Sequence, residues 1–255
     1  MLQSIKRSLL ITLVFLTSLS CSQVFQMQSS EISNHMVSAD NMVADERITS
    51  LYLPYKMQLD KEMDIVIGKT TENLVKGKPE SKLTNYLADL MLDESRRVAA
   101  NNGPTISPDV SFLNYGGIRT AFPEGDITVR KVFELMPFEN ELVLLELKGS
   151  DMQAFLDYVA SSGGDCVGGA RFVISGERAS GVKIDNKELK ADETYCLATS
   201  DYVADGGDNY SMLKNAVKRI NTGEKIRDVI IRYMKRNHMA GQIIQPELDG
   251  RITNE

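Results

Sequence analysis

Histidine is scarce in this sequence. There are two among 255 residues, His35 and His238, and tryptophan is absent. Metal sites draw on several closely spaced ligands, and neither an Asp-x-His nor a Gly-Asn-His motif occurs here. A serine nucleophile needs a nearby base, most often histidine, and neither histidine stands in such a motif. We therefore expect no metal ion, no cofactor and no catalytic residue in this chain.

Positive charge is also lacking. The sequence has 29 Lys and Arg residues against 35 Asp and Glu residues, a formal net charge of −6, and no basic run. Nucleic acids are bound through clustered Lys and Arg side chains, so we expect no nucleic-acid partner. Any contact to a phosphate must be made locally, by few residues.

Long hydrophobic runs are missing apart from one near the N-terminus. Lys6 and Arg7 precede a mostly apolar stretch, residues 8–19, which is shorter than the about 20 residues that a membrane-spanning helix needs. A basic start, an apolar middle and small residues at the end are typical of a secretory signal peptide, which we assign to residues 1–20. The next segment, residues 21–45, lacks periodicity and is predicted to be a flexible leader, and a single domain is predicted over residues 46–255.

Cysteine occurs three times. Cys21 follows the signal-like segment, where bacterial lipoproteins carry lipid, although Ser18 stands at the usual leucine position and Leu19 comes one place late. The pattern favours lipidation at Cys21, hence a periplasmic or cell-surface lipoprotein held to the membrane by that anchor alone, over a soluble exported protein. For Cys166 and Cys196, the sequence leaves open a disulfide or two separate buried thiols.

Apolar periodicity predicts alternating helices and strands. Helical spacing is seen at residues 83–100, with Ser81 as N-cap, and helices are also expected at residues 128–135, 150–158 and 223–236. Strands are expected at residues 110–113, 141–148, 171–175, 181–184 and 195–199. Helices and strands in mixed order, some joined by tight turns, predict an α+β fold: a single layered domain with a mixed sheet.

Four short segments carry residues that a plain scaffold does not need. They are Asn114-Tyr-Gly-Gly-Ile-Arg119, Met136-Pro-Phe-Glu-Asn140, Val167-Gly-Gly-Ala-Arg-Phe172 and Thr199-Ser-Asp-Tyr-Val-Ala-Asp-Gly-Gly-Asp208. They offer hydrogen-bond donors, a proline-stiffened aromatic side chain and a carboxylate delivered by two glycines. Each segment taken alone is more simply a turn or a core aromatic residue.

Together, in this order and spacing, the four segments resemble the C-terminal domain of the 5′-nucleotidase and UDP-sugar hydrolase family. That family's pattern has an Asn-x-Gly-Gly-Ile-Arg turn, a Pro-Phe-x-Asn, a Gly before Leu-Arg-Phe, and an aromatic residue six places before the Asp of Gly-Gly-Asp. The resemblance covers residues 50–252, including a helix start at Glu80 and the ending Asp249-Gly-Arg-Ile252.

The resemblance implies roles for individual residues. Phe138 and Tyr202, where many members carry Phe, would enclose a nucleotide base, and Asp208 would hold the ribose hydroxyls. The other residues implied to line the pocket are Asn114 at the base edge or a nearby polar atom, Arg119 near ribose or phosphate, Asn140 and Gly169. The sequence departs from the pattern at Gly77, where Arg is usual and Lys76 or Lys78 could substitute imperfectly, at Thr84, where Gly is usual, and at Ala170, where Leu is usual.

Two functions are consistent with these observations. Full-length family members hydrolyse phosphate esters with two metal ions in an N-terminal domain, whose motifs this sequence lacks. The first hypothesis is the nucleotide- or nucleoside-binding half of a split 5′-nucleotidase, which presents substrate to a separate metallophosphatase chain. The alternative is a nucleoside or nucleotide binding protein at the cell surface with no catalytic role. A structural remnant is disfavoured by the retention of Phe138, Tyr202 and Asp208.

Overall fold

The structure is a computed structural model that describes residues 29–30, 33–34, 44–101 and 106–255. Cys21 and the signal-like segment lie outside these residues, as does most of the leader. The chain divides into two units, residues 1–51 and 52–255. Apart from residues 46–51, which begin the first helix, the described helices and strands lie in the second unit. None of the helices in the described ranges is long and apolar enough to cross a bilayer.

Six α-helices are present in the described ranges: α1 (Glu46–Met63), α2 (Lys82–Asn101), α3 (Val129–Leu135), α4 (Gly149–Ser161), α5 (Asp201–Ala204) and α6 (Ile226–Met239). The strands that accompany them are β1 (Val66–Thr70), β2 (Val110–Leu113), β3 (Gly125–Thr128), β4 (Glu141–Lys148), β5 (Cys166–Gly168), β6 (Ala170–Ser175), β7 (Arg178–Ile184), β8 (Lys187–Glu188), β9 (Thr194–Ser200), β10 (Lys218–Lys225) and β11 (Ile252–Asn254).

The strands form three sheets. The largest has the order β10-β4-β9-β2-β5, and its only parallel pair is β2 with β9. A four-stranded sheet has the order β11-β6-β7-β8, with β11 parallel to β6, and β1 pairs with β3 in a small antiparallel ribbon. The predicted α+β fold with a mixed sheet is therefore confirmed.

The five-stranded sheet lies between two hydrophobic cores, as β4 shows most clearly. Leu142 and Leu144 point into the core formed with α2, α3 and α6, whereas Val143, Leu145 and Leu147 point into the core formed with α4 and the four-stranded sheet. Successive side chains of a strand point to opposite faces, so a strand buried on both faces reads as an unbroken apolar run. This is why the sequence predicts β4 with its observed bounds.

Helix α2 forms where the apolar spacing predicts it. Its buried face includes Leu83, Leu87, Leu90 and Val98, which follow the helical repeat. Ser81 caps the first turn, because its Oγ accepts a hydrogen bond from the backbone N–H of Thr84 at 3.1 Å. The predicted N-cap is therefore confirmed.

The predicted helix at residues 223–236 is wrong at its start. Residues as far as Lys225 belong to β10, and α6 begins at Ile226. Strand β10 is polar and pairs along only one edge, with β4, so its apolar pattern is too weak to be seen in the sequence. Gly223 lies at φ 73°, in the left-handed region, within an irregularity of this pairing, and that conformation cannot continue a helix.

Cys166 and Cys196 are two buried, free thiols. They lie on β5 and β9, and β2 runs between these strands in the sheet. Two strand spacings amount to about 9–10 Å, whereas a disulfide needs its Cα atoms within about 7 Å. The sheet order thus decides in favour of separate thiols.

Candidate functional site

Three of the four singled-out segments meet at one edge of the five-stranded sheet. Strands β2 and β9 are parallel, so the segments that follow them, starting at Asn114 and Asp201, leave the sheet on the same side. Strand β4 is antiparallel to β9, so the segment that precedes it, ending at Asn140, reaches the same edge. Loops at one sheet edge, positioned by a rigid scaffold, are a common setting for binding sites.

These loops enclose a crevice of about 360 Å³, within the range of small-molecule sites. Six of the seven residues that the sequence assigns to a pocket line it, together with two glycines of the first loop (residues 114–119). The lining residues are Asn114, Gly116, Gly117, Arg119, Phe138, Asn140, Tyr202 and Asp208. The tertiary structure therefore brings together residues that are up to 94 positions apart along the chain.

Phe138 and Tyr202 are the two aromatic side chains of the crevice. Their exposed fractions are 40% and 46%, which rules out a role for Phe138 as an ordinary core residue. Large exposed aromatic rings in a concave site are suited to stacking on a planar ring system. Tyr202 follows Asp201 in the short helix α5, whose N-cap Ser200 accepts a hydrogen bond from the backbone N–H of Val203.

Asp208 contributes the carboxylate of the crevice. One oxygen accepts a hydrogen bond from the Tyr202 hydroxyl and the other from the Asn114 amide, each at 2.7 Å. The Tyr158 hydroxyl donates to the backbone carbonyl of Asp208 at 3.0 Å. Sequence reasoning missed Tyr158, because α4 carries no motif and the contact joins residues 50 positions apart.

Arg119 contributes the positive charge. One terminal nitrogen donates to the carbonyl of Gly116 at 3.0 Å, and the centre of the guanidinium lies 5.8 Å from the Phe138 ring. No carboxylate within the described ranges forms an ion pair with it. An exposed guanidinium with spare donors suits an anionic group such as a phosphate.

Lys76 supports the first loop through hydrogen bonds to its backbone. Its ammonium group donates to the carbonyls of Tyr115 and Ile118, at 3.0 and 2.6 Å, and lies 4.1 Å from the centre of the Tyr115 ring. Burial, and then the neighbouring Arg119, lower the pKa of Lys76. Lys78 donates to the carbonyl of Ser162 and lies 5.2 Å from the centre of the Tyr115 ring, so of the two lysines only Lys76 hydrogen-bonds to the backbone of this loop.

Asn140 connects two of the loops. Its amide donates to the Asp201 carboxylate at 2.8 Å, and the same carboxylate oxygen accepts the backbone N–H of Tyr202 at 2.7 Å. Asn140 thereby orients the first turn of α5, which carries one of the two aromatic rings.

Gly169 is the one predicted pocket residue that the structure does not bring to the crevice. It follows β5, which is antiparallel to β2, so it leaves the sheet at the opposite edge. There it lines a separate, charged cleft that also contains Asp109 and Arg171. Only the strand order reveals this, because the Gly-Gly pair of this segment looks like that of the first loop.

The described part of the chain offers no group of three or more His, Cys, Asp or Glu side chains that could hold a metal ion. His238 lies in the last turn of α6, beside Asn237 and Gln242 in a second crevice of about 230 Å³. His35 is outside the described residues.

The geometry of the crevice defines a class of ligand-binding site: exposed aromatic rings, one carboxylate and one guanidinium, on loops of an α+β domain. Residues 66–215 match the family described as 5′-nucleotidase, C-terminal domain. This match spans more than half of the sequence, and the chain belongs to that family.

Similarity to individual proteins agrees with the family. Protein UshA of Yersinia enterocolitica is 28% identical over 212 residues, covering 80% of this chain and 37% of that protein. A 5′-nucleotidase of Vibrio vulnificus is 26% identical over 198 residues, covering 76% of this chain and 35% of that protein. The crystal structure of a 5′-nucleotidase precursor from Thermus thermophilus matches 81% of this chain and 42% of its own, with a TM-score of 0.66 and 29% identity.

The NAD nucleotidase of Haemophilus influenzae shares the fold, with a TM-score of 0.61 at 18% identity over 83% of this chain and 42% of its own. The chain spans less than half the length of each of these four proteins.

Proposed function

We propose that this chain is the nucleotide- or nucleoside-binding half of a split 5′-nucleotidase. The base stacks between Phe138 and Tyr202, the ribose hydroxyls bind the Asp208 carboxylate, and Arg119 faces the ribose or the phosphate. The observation that carries this proposal is the meeting of these four side chains in one crevice of a 5′-nucleotidase C-terminal domain.

Hydrolysis of the phosphate ester is assigned to a separate metallophosphatase chain. The sequence contains two histidines and none of the metal-binding motifs of the family's N-terminal domain. In this proposal the partner supplies the divalent metals, and this chain binds the nucleoside.

The proposal places the protein outside the cytoplasm. The basic start, the apolar stretch at residues 8–19 and Cys21 support export followed by attachment of lipid at that cysteine. Mass spectrometry of the protein from membranes would show a lipid-modified Cys21 at the N-terminus. An unmodified, released protein would contradict the anchor and leave the binding proposal standing.

Calorimetric titration tests the binding step. The metal-free protein is titrated with adenosine, AMP and UMP, beside the variants Asp208→Ala and Asp205→Ala. Asp205 lies in the same loop but outside the crevice, where it pairs with Arg219. Its replacement by alanine removes one negative charge, as Asp208→Ala does. We expect saturable heat for the wild type and for Asp205→Ala, and a loss of affinity of roughly tenfold or more for Asp208→Ala.

Absence of binding by all three ligands would contradict the proposal. If the ligands bind, mixing the chain with its candidate phosphatase distinguishes the split enzyme from a stand-alone binding protein. An increase in the phosphatase's turnover of AMP, absent with Asp208→Ala, supports the split enzyme. Unchanged turnover supports the cell-surface binding protein.

A further inference from the structure

Two uncharged donors hold the carboxylate of Asp208. The Tyr202 hydroxyl reaches one oxygen and the Asn114 amide the other, both at 2.7 Å. The main chain at Asp208, whose φ of 49° lies in the left-handed region, is held as well, because its carbonyl accepts the Tyr158 hydroxyl. The protein itself therefore sets the plane of this carboxylate from both sides.

This arrangement leaves acceptor capacity on both oxygens. An ionised carboxylate offers about four lone-pair positions, and the two internal hydrogen bonds occupy one on each oxygen. The remaining positions, again one on each oxygen, match two adjacent hydroxyl groups. The hydrogen bond to Asp208 raises the pKa of Tyr202, so the phenol stays protonated and continues to act as the donor.

We propose that Tyr202 is a positioning residue that makes the crevice select a vicinal diol. Its hydroxyl holds the Asp208 carboxylate in the orientation that accepts both hydroxyls of a ribose, in addition to the stacking role of its ring. This inference rests on the proposed function, because it concerns the sugar of the same nucleoside. It assigns part of the discrimination between ribose and a sugar without the diol to one phenol oxygen.

The test measures affinity for adenosine and for 2′,3′-dideoxyadenosine, which lacks both hydroxyls, in the wild type and in Tyr202→Phe. Each hydrogen bond to a charged group contributes about tenfold or more in affinity, so we expect the wild type to prefer adenosine by at least roughly 100-fold. In Tyr202→Phe we expect this preference to fall by about tenfold. Affinity for dideoxyadenosine should change by less than about twofold, since the ring remains.

Tyr195→Phe is the matched control. Tyr195 lies at the opposite end of β9, where its hydroxyl accepts the backbone N–H of Lys190, and it does not line the crevice. Its loss should leave both affinities unchanged. A melting temperature for Tyr202→Phe close to that of the wild type shows that the variant folds.

The outcomes separate this inference from the proposed function. If the wild type binds neither ligand, the proposed function fails and the inference with it. If it binds and Tyr202→Phe keeps the wild-type preference, the inference alone is overturned. A stronger preference for adenosine in Tyr202→Phe also overturns it, because the hydroxyl would then compete with the sugar rather than position the carboxylate.

Discussion

Phe138 lines the crevice and is only partly covered by the rest of the domain. Its ring follows Pro137 and is 40% exposed, although it precedes one of the most buried strands of the domain. A core phenylalanine at this place would be covered by neighbours. The exposure of the ring separates its effect on binding from its effect on stability.

Replacement of Phe138 by alanine is expected to weaken nucleoside binding with little effect on stability. Stacking of a base on an aromatic ring contributes about 1–3 kcal/mol, so the dissociation constant should rise roughly 5- to 150-fold. Val217→Ala, which removes an exposed apolar side chain outside the crevice, serves as the control. Calorimetry and thermal melting of both variants check this, and equal weakening by the two would contradict a stacking role.

At the scale of elements, the contact of β5 with β2 and α2 leaves no space for a side chain. A Cβ built on Gly168 would lie 2.5 Å from the Oγ of Ser111 and 2.8 Å from the carbonyl oxygen of Ala88. That Oγ in turn donates to the same carbonyl at 2.6 Å. Gly168 is thus required by close packing of the sheet on the helix.

Gly168→Ala should therefore lower the free energy of unfolding by about 1–3 kcal/mol, the usual cost of overpacking. Gly116→Ala is the control, because a Cβ there meets its nearest atom at an ordinary 3.6 Å and should leave stability near that of the wild type. Urea denaturation of the two variants measures the difference. Similar stabilities would show that β5 shifts to accommodate the added methyl group.

At the scale of the whole molecule, stability should depend on the protonation of Asp165. This carboxyl is buried beside Tyr210, and burial raises its pKa from the usual 3.8 to about 6, against the opposing effect of a hydrogen bond from the backbone N–H of Cys166. The folded chain then binds the proton more tightly than the unfolded chain. Stability from this group is complete below about pH 4 and is lost as the pH rises towards 6.

The variant Asp165→Asn should lack this loss. Relative to the wild type, its free energy of unfolding should increase between pH 4 and pH 7 by on the order of 2 kcal/mol. Urea denaturation at both pH values measures it, with exposed Asp126→Asn as the control. A constant difference between Asp165→Asn and the wild type would mean that the carboxyl titrates normally in the folded chain.

The two buried cysteines lead to a further prediction at this scale. Burial raises the pKa of both thiols, to about 12 for Cys196, so neither forms a reactive thiolate in the folded protein. In a Cys21→Ser background, a thiol reagent should react with neither cysteine in the native protein and with both after denaturation. Reducing agent should leave the melting temperature unchanged, and a denatured protein without free thiols would contradict the separation seen in the sheet.

The sequence by itself determined the elements with strong periodicity and the family. The apolar run of β4, the repeat of α2 with its Ser81 cap, and the spacing of the four segments are local properties, readable without knowing what packs where. The amphipathic part of α6 was also predicted, whereas its start was not, because β10 is held in place by pairing with β4.

Only the tertiary structure decided which segments share the crevice. The sequence assigned Gly169 to it and omitted Tyr158, since distances across a sheet depend on strand order and direction rather than on motif. The same order, β9-β2-β5, placed one strand between Cys166 and Cys196 and settled their state. The sequence determines which side chains each loop carries. The side of the sheet on which each loop emerges is determined by how the strands pair.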